Sequence, residues 1–188
     1  VKITTDDGVV GWGEAITRVS LGRVAWLRGE PEAALAHFRR ASEVAESGGD
    51  LFTRSVAGNQ IGRLLLVGGK TSEAEDFFRR TLVDSITLHH DEGVAYGLEG
   101  MCAIAAAHGD AHRAGALSAA AAAIRHRIGV FDVEAFTVHE ISLDAVRRAQ
   151  PDAVADGERT GAELSVAEAV ALALPDADAS VAHAVAHW

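Results

Sequence analysis

A forty-residue internal repeat constrains this chain more than any other feature. Gly29, Gly69 and Gly109 stand forty residues apart, and so do Ala34, Ala74 and Ala114. Leu21, Ile61 and Met101 keep that spacing, as do Leu27, Val67 and Ala107. Phe38 and Phe78 are followed in register by the smaller Ser118, Ala41 and Ala121 bracket Thr81, and Arg39–Arg40 returns as Arg79–Arg80. Self-similarity at such a period signals stacked supersecondary units, each with an apolar face that it cannot bury alone.

Each unit has the same order: an apolar-periodic segment, a glycine turn, a second such segment. Leu21, Val24, Ala25 and Leu27 make one helical face. Gly29 suits the left-handed residue that ends a helix, and Pro31 suits the first turn of the next, where its missing N–H costs nothing. Ala34, Phe38, Ala41 and Ala45 then follow at steps of four, three and four. In the second unit Thr71 or Ser72 is placed to cap, and in the third Asp110. Aromatic residues are only 5% of the chain while apolar residues are 48%, as a core of Ala, Leu and Val in close-packed helices requires. The expected fold is all-α. Helices 13–28 and 31–47 should pair, as should 52–67 with 71–88 and 92–107 with 111–127, and a further pair is expected over 131–149 and 165–174. In domain terms the sequence divides into an extended or hairpin segment over 1–12, three repeats over 13–128, a helical repeat or cap over 129–175 and a tail over 176–188.

The order Leu21-Gly22, Gly29, Ala34, Phe38, Ala41 resembles the tetratricopeptide repeat, and Ile61-Gly62, Gly69, Ala74, Phe78 is similar to it as well. The third unit departs from that pattern, with Cys102 in place of the small glycine and Ser118 in place of the aromatic. The period is longer than the common thirty-four residues of such repeats. Longer repeats of this kind resemble those of the large ATP-binding regulators of actinomycetes, the LuxR-type and AfsR-like families. The stretch from Gly157 through Glu163-Leu164-Ser165-Val166-Ala167-Glu168-Ala169-Val170 to Leu174 is similar to their closing helix, and Ser165 with Glu168 has the form of a capping box. The resemblance implies an α-solenoid used for protein–protein interaction, as the sensor or oligomerisation segment of a transcriptional or signalling regulator whose ATPase and DNA-binding parts lie elsewhere.

Residues 1–16 read differently. Val1, Ile3 and Thr5 alternate with polar residues, and Asp7-Gly8 is a hairpin turn signal. Thr5, Asp7, Gly8, Gly11, Gly13, Glu14 and Ala15 resemble the first hairpin of the mandelate racemase/muconate lactonising branch of the enolase superfamily. That resemblance implies, as the alternative reading, a fragment of a barrel enzyme. Its metal-binding carboxylates and lysine base do not follow, since no lysine occurs after Lys70.

The net charge of −10 argues against nucleic acid, because phosphate binding needs clustered Lys and Arg. No apolar run approaches the ~20 residues that span a bilayer. With Cys102 alone, a reducing, cytoplasmic setting is expected. Leu64 to Ser72 has the look of a phosphate loop, but Leu64 stands where its first glycine is needed. His183 and His187 are spaced to share a helix face, but two ligands do not close a zinc site. His89-His90 reads as linker surface. No catalytic residue, cofactor or metal site is therefore assigned, and the chain reads as a non-enzyme. What the resemblance to tetratricopeptide arrays implies is a concave groove lined by the leading helix of each unit: Ile16, Val19, Arg23, Trp26 and Leu27, then Val56, Asn59, Arg63, Leu66 and Val67, then Tyr96, Glu99 and Ala103. Within it Arg23, Trp26, Asn59, Arg63, Tyr96 and Glu99 are the candidate partner-binding residues for a protein or peptide, with Arg23 and Arg63 placed to hold a carboxylate. The outer face of the first hairpin, including some of Ile16, Val19 and Trp26, is expected to stay partly uncovered and to self-associate.

Overall fold

In the computed structural model, residues 3–4, 10–11, 13–130, 138–177, 181 and 184–185 are described, the first four as backbone. They form a short hairpin and a stack of helices: β1 (Ile3–Thr4), β2 (Val10–Gly11), α1 (Gly13–Leu27), α2 (Pro31–Gly48), α3 (Leu51–Val67), α4 (Thr71–Thr87), α5 (Asp91–Ala107), α6 (Ala111–Ile128), α7 (Val138–Ala149), α8 (Pro151–Gly161) and α9 (Val166–Ala173). β1 and β2 pair antiparallel, Ile3 opposite Gly11 and Thr4 opposite Val10. The fold is all-α, with helices packed in consecutive pairs.

The punctuation is finer than forty residues. Left-handed residues fall at Gly29, Gly49, Gly69, His89, Gly109 and Gly129, a twenty-residue step that ends each of α1 to α6. At every one the N–H of the following residue donates to a carbonyl five residues back: Glu30 to Ala25, Asp50 to Ala45, Lys70 to Leu65, His90 to Ser85, Asp110 to Ala105 and Val130 to Arg125, at 2.9–3.2 Å. That bond is the signature of the Schellman end, which satisfies carbonyls the helix leaves over. The helix starts are more varied. Pro31 opens α2, while Asp50 and Asp110 accept from the N–H groups of Thr53 and Arg113. Neither Thr71 nor Ser72 caps α4; its N-cap is Lys70, whose side chain makes no capping bond.

Glycines let the pairs approach. A Cβ added at Gly22 would lie 2.6 Å from the Phe38 ring, and one at Gly62 would lie 2.6 Å from Phe78. Phe78 is also met from the next unit by Gly100, so its ring fills the space between α3 and α5. Both phenylalanines are fully buried, as the repeat predicts. In the third unit the buried Cys102 replaces the glycine and Ser118 the ring, so the extra volume moves from one helix to the other.

The fourth pair is not the expected one. α7 packs chiefly on α5 and α8 chiefly on α6, and α9 follows as a further short helix. The sequence PDAVADGERTG, polar and with two glycines, carries little helix propensity. It is helical because those glycines put α8 against α6: a Cβ at Gly157 would lie 2.0 Å from the His112 carbonyl oxygen, and one at Gly161 would lie 2.0 Å from that of Ala116. Residues 131–137, expected as helix, lie outside the described residues. α9 begins at Ser165 with the capping box complete, since the Glu168 N–H donates to Ser165 Oγ at 3.2 Å and Glu168 Oε2 accepts from the Ser165 N–H at 2.9 Å.

Candidate binding groove

The leading helices α1, α3 and α5 lie side by side, and between them is a cavity of about 250 Å³. The stripe from α3 is Phe52, Ser55, Val56, Asn59, Gln60 and Arg63, whose steps of three and one keep one helical face. Ile16, Val19, Ser20 and Arg23 contribute from α1, and His90, Glu92, Gly93 and Tyr96 from the start of α5. Phe52, His90 and Ile16 make one end aromatic and apolar, and the Phe52 and His90 rings meet edge to face at 5.2 Å. The middle is amide and hydroxyl, and the other end carries Arg23 and Arg63.

Two amides differ in how they are satisfied. Asn59 Oδ1 accepts from the Thr81 hydroxyl at 3.1 Å, which holds it against α4. Gln60 is only 8% exposed, and its Oε1 has no hydrogen-bond partner among the described residues. A buried acceptor left without a donor costs about 1–3 kcal/mol, so such a group in a cavity wall is suited to a ligand that brings a donor.

Behind the arginine end is a buried ion cluster. Arg125 of α6 donates through Nε and Nη2 to both carboxylate oxygens of Glu99, the second bond at 2.9 Å. Arg63 Nη2 lies 3.5 Å from Glu99 Oε2, and His139 Nδ1 of α7 lies 3.9 Å from the same oxygen. The Tyr96 ring has both guanidiniums over it, Arg125 at 4.3 Å and Arg63 at 4.8 Å from its centroid. Burial holds the His139 imidazole below its ordinary value of 6.5, against the pull of Glu99, so it is neutral at pH 7. Taking out Glu99 would remove a carboxylate shared by two buried guanidiniums, which makes it a tie between groove, α6 and α7.

Of the candidate residues, Arg23, Asn59, Arg63 and Tyr96 meet at the cavity, as do Ile16, Val19 and Val56. Glu99 stands one layer back, in the ion cluster. Trp26 packs half-buried against the core and is not among the cavity-lining residues. Leu66 and Ala103 border a void of about 10 Å³ between Arg63 and His139. Leu27 and Val67 are exposed. Sequence reasoning missed Gln60, Phe52 and His90. His90 is not linker surface: its Nδ1 accepts from the Gly93 N–H at 3.2 Å, capping α5. The signal for Gln60 was present in Asn59-Gln60, a polar pair inside an otherwise apolar stretch of helix.

Among the described residues no group of three or more His, Cys, Asp or Glu is placed to hold a metal ion, and no helix is long and apolar enough to cross a membrane. His183 and His187 lie outside the described residues. Burial, reinforced by Glu99, pushes the Cys102 thiol up to about 12, so it is not a nucleophile near neutral pH. The arrangement offers hydrogen bonds, an apolar end and a cationic end, and these are means of holding a ligand. Compared with known protein families, with curated proteins and with solved structures, the chain finds no match.

Proposed function

We propose that this chain is a protein-interaction module that holds an extended peptide along the α1–α3–α5 groove. The observation that carries this reading is Gln60, a cavity-lining residue whose buried Oε1 has no donor among the described residues. A peptide backbone supplies N–H donors in the required number and spacing. From Phe52 to Arg63 the α3 stripe is about 16 Å long, the span of about five extended residues. Such a peptide would place an apolar side chain at Phe52 and His90 and an acidic group or terminal carboxylate near Arg23.

The likeness of the repeat and of the closing helix to the large actinomycete regulators supports a sensor or oligomerisation segment of a signalling protein as the biological setting. The single buried Cys102 fits a reducing, cytoplasmic one. The enolase-type alternative rests only on the first sixteen residues, through their motif resemblance and the β1–β2 pairing. The test is selection from a random heptapeptide library on the intact chain, followed by calorimetric titration of the selected sequences. Peptides should bind the wild type and lose about tenfold or more in affinity to Gln60→Leu, as loss of one buried hydrogen bond implies. A library that yields no binder, or binders indifferent to Gln60→Leu with the helical signal intact, would refute the groove reading.

A further inference from the structure

The tandem arginines of the repeat are satisfied in one unit and not in the next. On α2, Arg40 lies 3.3 Å from Glu43 and 3.9 Å from Glu14 of α1. Forty residues on, Arg80 of α4 keeps the cation, but Val83 stands in register with Glu43, and Arg54 with Glu14. Both carboxylates are gone, and a second cation occupies the place of one of them. Arg54 has a carboxylate of its own: it donates to both oxygens of Asp84, at 2.9 and 2.6 Å, where the first unit has Val44. Arg79 lies 3.7 Å from Glu75, one turn back on its own helix. Arg80 makes no hydrogen bond or ion pair among the described residues. In the third unit the matching positions are Val94, Ala120 and Ala123, so neither cation nor carboxylate recurs.

Arg80 borders a cavity. A space of about 450 Å³ has Arg79, Arg80 and Val83 of α4 on one side and Leu174, Ala177 and Val181, which follow α9, on the other. Those last three residues also wall a second, apolar cavity of about 360 Å³, together with Val170 and Pro175. The two spaces therefore adjoin, the first cationic and the second aliphatic, and each is of the size that small-molecule sites have. The carboxylates that line the first space are directed at Arg54: Asp84 is bound to it, and Glu46 acts on the same guanidinium. No lining residue is shared with the α1–α3–α5 groove.

We infer that the adjoining cavities hold an amphipathic acid, its carboxylate or phosphate head on Arg80 beside Arg79 and its aliphatic chain passing Val83 and Leu174 towards Val170. An ion pair on an exposed arginine contributes little by itself. The apolar wall supplies the rest, so affinity rises with the length of the chain that it covers. The first unit is the internal comparison, with the same arginine and both of its carboxylates in place.

Calorimetric titration of the 188-residue chain with decanoate and with decyl phosphate, each below its micelle concentration, tests this. One equivalent should bind, and the tighter of the two identifies the head group. Hexanoate should bind about tenfold or more weakly than decanoate, and the uncharged 1-decanol should lose about as much. Arg80→Gln should weaken binding about tenfold, and Arg40→Gln should leave it unchanged. Val83→Glu restores the ion pair of the first unit, so it should weaken binding at least as much as Arg80→Gln. Helical circular dichroism of the three variants should match that of the wild type. No binding of either anion up to about 1 mM overturns the inference, as does binding that Arg80→Gln and Arg40→Gln change equally. Decanol bound as tightly as both anions, or hexanoate as tightly as decanoate, overturns it too. Peptide binding in the groove is a separate measurement at another site, so either result stands without the other.

Discussion

The two ends of the helical stack are finished in opposite ways. At the C-terminal end the outer face of α6 is covered by α8 at backbone contact, with Gly115, Gly157 and Gly161 all at positions where a side chain would strike a carbonyl oxygen. Polar ties then hold the cover in place. Arg147 Nη2 of α7 donates to Glu158 of α8 at 2.7 Å, and the Arg113 guanidinium of α6 donates to the carbonyls of Leu172 and Ala173 at 3.1 and 3.0 Å, satisfying the end of α9. At the N-terminal end α1 keeps the apolar residues of its repeat position and leaves them partly uncovered. The difference teaches that the repeat pattern and the capping of the array are separate instructions. The forty-residue period makes every leading helix ready to receive a neighbour. Whether a neighbour is built in depends on residues outside the pattern, and at the closed end these are glycines and arginines.

That comparison can be broken by mutation, with the middle of the array as reference. Phe78→Ala removes the ring packed between α3 and α5 and should cost about 3–5 kcal/mol by urea denaturation. A loss under ~1 kcal/mol would mean that the interior is not packed as described. Gly161→Leu forces a side chain into the α6–α8 contact. It should cost about 3 kcal/mol, the upper part of the overpacking range, and release α8 and α9 to limited proteolysis. If Gly161→Leu is neutral, the closed end is not closed. Ser165→Ala removes the α9 cap and should cost about 1 kcal/mol. Leu21→Ala, at the open end, should stay within about 0.5 kcal/mol at concentrations where the chain is monomeric, although the aligned Ile61→Ala should cost about 2–5 kcal/mol. Near-equal losses for those two would remove the distinction between the ends.

The smallest effect is that of pH on the tie between groove and cap. His139 faces Glu99, Arg63, Arg125 and Glu140, and its folded-state value is held below the ordinary 6.5. Below that ordinary value the unfolded chain takes up a proton that the folded chain resists, so stability falls as pH drops from about 6.5 towards the lowered folded value. Thermal midpoints of wild type and His139→Gln should therefore diverge between about pH 7 and about pH 5, with the variant showing the shallower decline. Parallel curves would mean that His139 does not couple folding to pH.

The helix hairpins were legible in the sequence because their signals are local: glycine at the turn, proline or aspartate at the start, Phe38 and Phe78 in register. The twenty-residue step was harder to see because His89 stands where the pattern has glycine, with φ of 50°. That substitution hides the link between Gly49 and Gly129. α8 was not legible at all. Gly157 and Gly161 read locally as helix breakers, and their use appears only when α6 is beside them. The groove-facing stripe followed from the family resemblance, and the cavity gathers Arg23, Asn59, Arg63 and Tyr96 from it. The displacement of Glu99 and Trp26 from its wall depends on side-chain packing that spacing does not encode. Likewise Leu21 and Val24 have the same pattern as their covered counterparts, and their exposure depends on what lies next to α1.

Native-state hydrogen exchange resolved by helix, at a protein concentration below that of any association, tests the contrast between the ends most directly. Amides of α6 and α8 should exchange only with an opening free energy close to that of global unfolding, and those of α1 should exchange through a much smaller local opening. Protection of α1 equal to that of α6, or an α8 that exchanges faster than α1, would contradict the account of one open and one closed end.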